Sequence, residues 1–173
     1  MKSYNETYEY KDEILEKFKK YNQVVHTVKE KDYDWLDGDN CLSIEIKNNE
    51  SDDSLFIDLE GEITICYREW HKHFYYENRN DYDEAMRCVE KVLNNQQCSI
   101  IIFSSNKWYG TGSSDKKLNY SKLEALDFVL KFFNHKEEKE FIENFKKYGV
   151  KVKFEFWDSN KNYEYILDKE NFK

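Results

Sequence analysis

Hydrophobic and polar positions change period several times along the chain, and each change predicts an element. Ile14, Phe18, Tyr21, Val25 and Val28 recur at helical steps. They predict one apolar face of a helix over residues 8–30, with Lys11, Glu13, Glu16, Lys17 and Lys20 on the opposite face. Gly38 and Asp39 mark the turn that follows. Leu42, Ile44 and Ile46 then alternate with Ser43, Glu45 and Lys47, the period-two pattern of a half-buried strand. After the polar loop Asn48 to Ser54, Leu55–Leu59 and Glu62–Glu69 flank Glu60-Gly61, where glycine supplies the positive φ of a hairpin. His73–Glu77 reads as a further strand, or as a continuation across a bend.

The second half is patterned in the same way. Asp81-x-x-Glu84 resembles a capping box, and Tyr82, Ala85, Met86, Val89, Val92 and Leu93 follow at helical spacing up to Asn94-Asn95. Cys98–Phe103 is nearly all apolar and β-branched, as expected of a central strand covered on both faces. Lys107–Thr111 is expected to pair back on it through Ser104-Ser105-Asn106. Ser121-x-x-Glu124 is a second capping box, opening a helix with Leu123, Leu126, Leu130 and Phe133 inward. A last helix from about Glu137 turns Phe141, Ile142, Phe145 and Tyr148 inward and stops at Gly149. Val150, Val152, Phe154 and Phe156 alternate with Lys151, Lys153 and Glu155, and Asp158–Asn162 turns the chain into Tyr163–Leu167.

Helices and strands come in blocks without regular βαβ alternation. The expected class is therefore α+β: one domain over 1–173, with a mainly antiparallel or mixed sheet and about four helices packed chiefly on one face. A chain of 173 residues can bury about 70% of the surface its unfolded form exposes, without disulfides or a metal. The mean hydropathy of -0.97 reflects 36% charged residues, yet 17% of the chain is aromatic, which separates it from disordered sequences.

The net charge of -8 argues against a nucleic-acid binder, which needs basic surface to displace phosphate counterions. It suits a surface that steers a basic protein partner into contact, and it also keeps the protein soluble. Cys41, Cys66, Cys88 and Cys98 form no CxxC pair, so neither a zinc ribbon nor a thioredoxin-type site is signalled. Cys66 and Cys98 sit in strand-like runs, where a thiol behaves as a small hydrophobe. The polar stretch Met1–Tyr10 and the absence of any apolar run near 18 residues predict no signal peptide and no membrane span. The expected location is the cytoplasm.

Glu69-Trp70-His71-Lys72-His73 is the densest feature. On a strand His71 and His73 project to one side, as two zinc ligands would, with Glu69, Asp81 or His135 as candidates for the third. The alternative this supports is a metal-dependent hydrolase; the plainer reading is an exposed His pair on a solvated strand. No GxSxG, HExxH or GxxxxGK[ST] motif is present. Tyr109-Gly110-Thr111-Gly112-Ser113 lacks the further glycine of a dinucleotide site and reads as a turn or strand end. Asp52-Asp53 and Asp81/Asp83 read as solvated or helix-capping carboxylates. The expectation is no catalytic set, no cofactor and no enzymatic activity. Trp70, Trp108 and Tyr109 instead lie in polar surroundings at predicted strand ends, as interface anchors do. With Glu69, Asp81 and Asp83 they would make an aromatic site with an acidic rim, and His71 and His73 complete the candidate partner-binding set. A non-catalytic structural or regulatory subunit with its tryptophans buried is the third reading.

The segment Ile63-Thr64-Ile65-Cys66-Tyr67-Arg68-Glu69-Trp70-His71-Lys72-His73-Phe74, followed by an acidic helix start and Lys107-Trp108-Tyr109-Gly110, resembles small bacterial immunity-type proteins of polymorphic toxin systems. The resemblance spans roughly residues 55–112 and rests on loosely spaced aromatics and histidines. It implies a cytoplasmic acidic α+β protein that binds and neutralises a cognate toxin by occlusion, with no catalytic residues.

Overall fold

The computed structural model describes residues 6–33, 36, 38, 40–75, 79–133 and 139–172. The chain adopts the expected α+β class. Its described strands form two antiparallel sheets where one central sheet was expected, and its contacts divide into two compact units, Met1–Asn94 and Asn95–Lys173.

The N-terminal unit contains helix α1 (Lys11–Lys17), strands β1 (Asn22–Thr27), β2 (Leu42–Lys47), β3 (Ser54–Leu59), β4 (Ile63–Tyr67) and β5 (Trp70–Phe74), and helix α2 (Arg79–Leu93). The five strands form a simple meander in sequence order. The helix expected over 8–30 is therefore corrected. Ile14 and Phe18 are buried as its pattern demands, but the helix ends at Phe18 and the chain re-enters as a strand. Val24, Val25 and Thr27 are β-branched and prefer the extended backbone, and β2 supplies the partner that only the folded chain provides.

Two tight turns organise the remaining strands. Gly61, at φ 87, turns β3 into β4 as expected. Arg68, at φ 53, turns β4 into β5, so the strand expected to run to Glu69 ends at Tyr67 and the next begins at Trp70. Arg68 holds this unfavourable backbone while its guanidinium lies over the Tyr67 ring and donates to Asp53 at 2.5 Å. Glu77, the expected end of the next strand, lies outside the described residues.

One face of this sheet is apolar across β2, β3 and β4. Gln23, Ile46, Leu55, Tyr67 and Trp70 form one cross-strand row, and Val25, Ile44, Ile57, Ile65 and Lys72 form the next. α2 packs on β4 and β5 with Tyr82, Ala85, Met86, Val89, Val92 and Leu93 buried, the expected helical stripe. It starts at Arg79, so Asp81 lies inside the first turn and not at the N-cap position that the expected capping box gives it. Tyr10 stacks on Tyr82 at 4.3 Å, Lys17 pairs with Glu90 at 2.8 Å, and the Arg79 guanidinium donates to Glu13. These contacts bind α1 and the turn before it to α2.

The C-terminal unit contains strands β6 (Cys98–Ser104) and β7 (Lys107–Ser114), helices α3 (Lys122–Phe132) and α4 (Lys139–Tyr148), and strands β8 (Val150–Glu155) and β9 (Tyr163–Leu167), in sheet order β7-β6-β8-β9. β6 is central and almost wholly buried, as its composition predicts. Ser105 and Asn106, at φ 49 and 61, make the tight β6–β7 turn. The Ser121–Glu124 capping box forms with both reciprocal hydrogen bonds.

The inward face of α3 is rotated from the expected one. Ala125, Val129 and Phe133 are buried, whereas Leu123 and Leu130 are exposed. Phe145 is buried on α4 as expected, but Tyr148 is 57% exposed. Gly149 ends the helix at φ 76. The Tyr109–Ser113 stretch, expected as a turn or strand end, lies inside β7. There the ring of Phe132 comes so close to Gly110 that a Cβ would meet it at 2.8 Å.

Candidate interaction surfaces

Each unit carries a distinct polar surface. On the N-terminal sheet the second face carries a polar row that crosses all five strands. His26, Ser43, Asp58, Thr64 and His73 are aligned in one cross-strand row, and Val24, Glu45, Phe56, Cys66 and His71 in the next. The alternation Leu42-Ser43-Ile44-Glu45-Ile46 already signals a polar face, and Asp58 within Leu55–Leu59 is the one charge inside an otherwise apolar strand.

The middle of this face is buried. Asp58 is 5% exposed, and its carboxylate accepts from Ser43 Oγ at 2.6 Å and from the Cys66 thiol at 3.5 Å. Burial raises the Asp58 carboxyl to about 6; the hydrogen bonds from Ser43 and Cys66 oppose that shift without cancelling it, and Glu60 adds to it. Burial, with the neighbouring Asp58 charge, also pushes the Cys66 thiol up to about 12, which keeps it protonated near neutral pH.

His26 lies between two carboxylates, with Nδ1 2.8 Å from Glu30 and Nε2 2.9 Å from Glu45, and its ring stacks on Tyr33 at 4.0 Å. Burial disfavours its charge, but the hydrogen bonds to Glu30 and Glu45 outweigh that and raise its pKa. With a carboxylate on each ring nitrogen, the arrangement is that of an imidazolium.

At the rim of the sheet stands β5, which pairs only with β4 among the described strands. His71 and His73 project from it together, as expected, with ring centroids 5.2 Å apart. Both are exposed. His73 Nδ1 is engaged by Glu62 at 2.7 Å and Thr64 at 3.0 Å. Among the described residues no three His, Cys, Asp or Glu side chains are grouped to hold a metal ion, and His135 lies outside them.

Trp70 is corrected as an interface anchor. It occupies the opposite strand face, opposite Tyr67, and is 8% exposed. Strand alternation accounts for this: His71 and His73 face the rim because Trp70 and Phe74 face the core. Tyr75, which the sequence does not single out, is 73% exposed just beyond the strand. Glu69 is exposed at the β4–β5 turn. Asp83 pairs with Arg79 Nε at 3.3 Å, and Asp81 is half-buried in the first turn of α2, so neither forms an open acidic rim.

Trp108 and Tyr109 belong to the C-terminal unit. Trp108 is 55% exposed and pairs with Phe103, whereas Gly110 pairs with Ile102. The register shift skips Tyr109, which turns inward onto Phe141 and Phe145 at 5.4 and 5.1 Å. Trp108 therefore keeps its expected exposure, and Tyr109 is corrected to a packing residue.

No protein-family model matches the chain, and no curated protein or solved structure shows significant similarity to it. None of the described helices is long and apolar enough to cross a membrane.

Proposed function

We propose that this chain is a non-catalytic partner-binding protein of the immunity or antitoxin kind, which occludes a basic toxin protein in the cytoplasm. The observation that carries this reading is the rim of the N-terminal sheet. His71, His73 and Tyr75 are exposed along one edge, with Glu62 on His73 and Glu69 exposed in the turn that precedes the strand. Lys slightly outnumbers Asp plus Glu over residues 95–173, so Met1–Asn94 carries the whole acidic excess of the chain.

An edge strand offers unpaired backbone groups to a partner chain, and exposed Tyr and His rings bury area with few rotatable bonds. A surrounding negative potential speeds encounter with a basic surface. Occlusion needs only a complementary surface, which agrees with a Cys66 thiol held protonated by its burial and with a sequence that carries no GxSxG or HExxH motif.

The test uses the tagged chain as bait in lysate of the source cell, with mass spectrometry as readout and association kinetics on the captured protein. The expected result is a stoichiometric basic protein whose toxicity co-expression relieves. Its association should slow about tenfold at low salt on combining Glu62→Lys with Glu69→Lys. Recovery of bait alone, or an association rate that the two reversals leave unchanged, would overturn the proposal.

A further inference from the structure

The C-terminal unit holds a cleft of about 680 Å³, within the range of small-molecule sites. Lys147, Lys151, Lys153 and Lys169 line it, together with Phe103, Tyr148 and Ile166. The topology explains the assembly. Phe103, Lys151 and Ile166 are consecutive members of one cross-strand row on β6, β8 and β9. Lys153 follows two residues along β8 on the same face, and its ammonium lies 5.4 Å from the centroid of Phe103. The end of α4 adds Lys147, poised 4.8 Å from the centroid of the Tyr148 ring. Ser104 Oγ donates to Gly149 O at 2.6 Å, tying the β6–β7 turn to the end of α4.

Two carboxylates bear on the cleft. Asp168 lines it while accepting from the Glu170 amide at 3.0 Å, and Glu164 pairs with Lys151 at 3.2 Å. The cations still prevail, four against two, in a protein whose net charge is -8. All four are lysines, compact point charges that suit phosphate oxygens, and residues 95–173 contain no arginine fork for planar carboxylates. Beside them stand an exposed aromatic ring, Tyr148, and an apolar side chain, Ile166, 57% and 62% exposed.

We infer that this cleft binds a nucleoside polyphosphate, with the lysines on the phosphate chain and Tyr148 against the base. Polyphosphate charge explains the lysines, and a flat base explains why a large ring and an apolar side chain stay exposed among them.

Isothermal titration of the full chain with ATP and with inorganic tripolyphosphate, in magnesium-free buffer of low ionic strength, tests this. Both should bind, ATP the more tightly, and Tyr148→Ala should remove the difference. The double variant Lys147→Glu with Lys169→Glu should weaken both by about tenfold or more, while Lys116→Glu with Lys122→Glu, an equal charge change on exposed residues outside the cleft, should not. All these positions are exposed, and circular dichroism verifies that each variant is folded. Absence of binding by either ligand, or equal weakening by the two reversals, overturns the site. Equal affinity for ATP and tripolyphosphate overturns the assignment to a nucleotide.

Discussion

Ser43 donates a 2.6 Å hydrogen bond to Asp58 across the β2–β3 pair, inside the polar face of the N-terminal sheet. No cation is among the causes that move this carboxyl, so its burial raises it to about 6 from the ordinary 3.8. Between those values the folded chain keeps a proton that the unfolded chain has released. Stability from this group is therefore greatest below pH 4, falls as pH rises to 6, and stays low above it. A gap of this size corresponds to about 3 kcal/mol. Asp58→Asn should be more stable than the parent by up to about that amount at pH 8, and within about 1 kcal/mol of it at pH 4. Urea unfolding at both pH values measures the difference; a variant–parent gap that does not change with pH would assign the slope to other groups.

Trp70 and His71 are adjacent in sequence but opposite in environment. Trp70→Ala removes a large buried ring and should destabilise the N-terminal unit by about 3–5 kcal/mol. His71→Ala and His73→Ala should each stay within about 0.5 kcal/mol of the parent, because both side chains are exposed. Chemical denaturation of the three variants separates core from rim. A His71 variant as unstable as the Trp70 variant would place the histidine in the core.

Gly110 and Gly112 lie on the same strand beneath α3, yet they should respond differently to alanine. A Cβ at 110 meets Phe132 Cε1 at 2.8 Å, whereas at 112 the nearest atom, Phe128 Cζ, is 3.4 Å away. Gly110→Ala should cost about 1–3 kcal/mol as the ring is displaced, and Gly112→Ala less than about 1. Thermal melts of the pair decide it, and equal losses would remove the close approach of Phe132 as the cause.

Tyr163 ties β9 to the loop before α3. Its hydroxyl donates to Leu118 O and accepts from the Tyr120 amide, both at 2.9 Å. Tyr163→Phe leaves both backbone groups without that partner and should cost about 1–3 kcal/mol. Hydrogen exchange should show faster exchange of the Tyr120 amide. Unchanged exchange would mean that the loop is held by other contacts.

Most strands and the two longest helices are legible in the sequence, because period-two and helical apolar patterns record which side of each element meets a core. Leu42–Lys47, Cys98–Ser104 and the stripe Tyr82 to Leu93 carry those signals, and Ser121–Glu124 and Gly149 carry local terminus chemistry that needs no distant partner. The tertiary structure decided what local pattern leaves ambiguous. Val25 and Val28 fit a helical period, but Val25 joins β1 because β2 stands ready to pair with it. Trp70 and Trp108 look alike in polar surroundings, yet strand phase buries the first and a register shift leaves the second exposed while Tyr109 turns inward. The row His26–Ser43–Asp58–Thr64–His73 and the lysine cleft exist only through cross-strand register and the meeting of helix end and sheet. Sequence determines each strand's alternation; which residues then become neighbours across strands is fixed by long-range pairing.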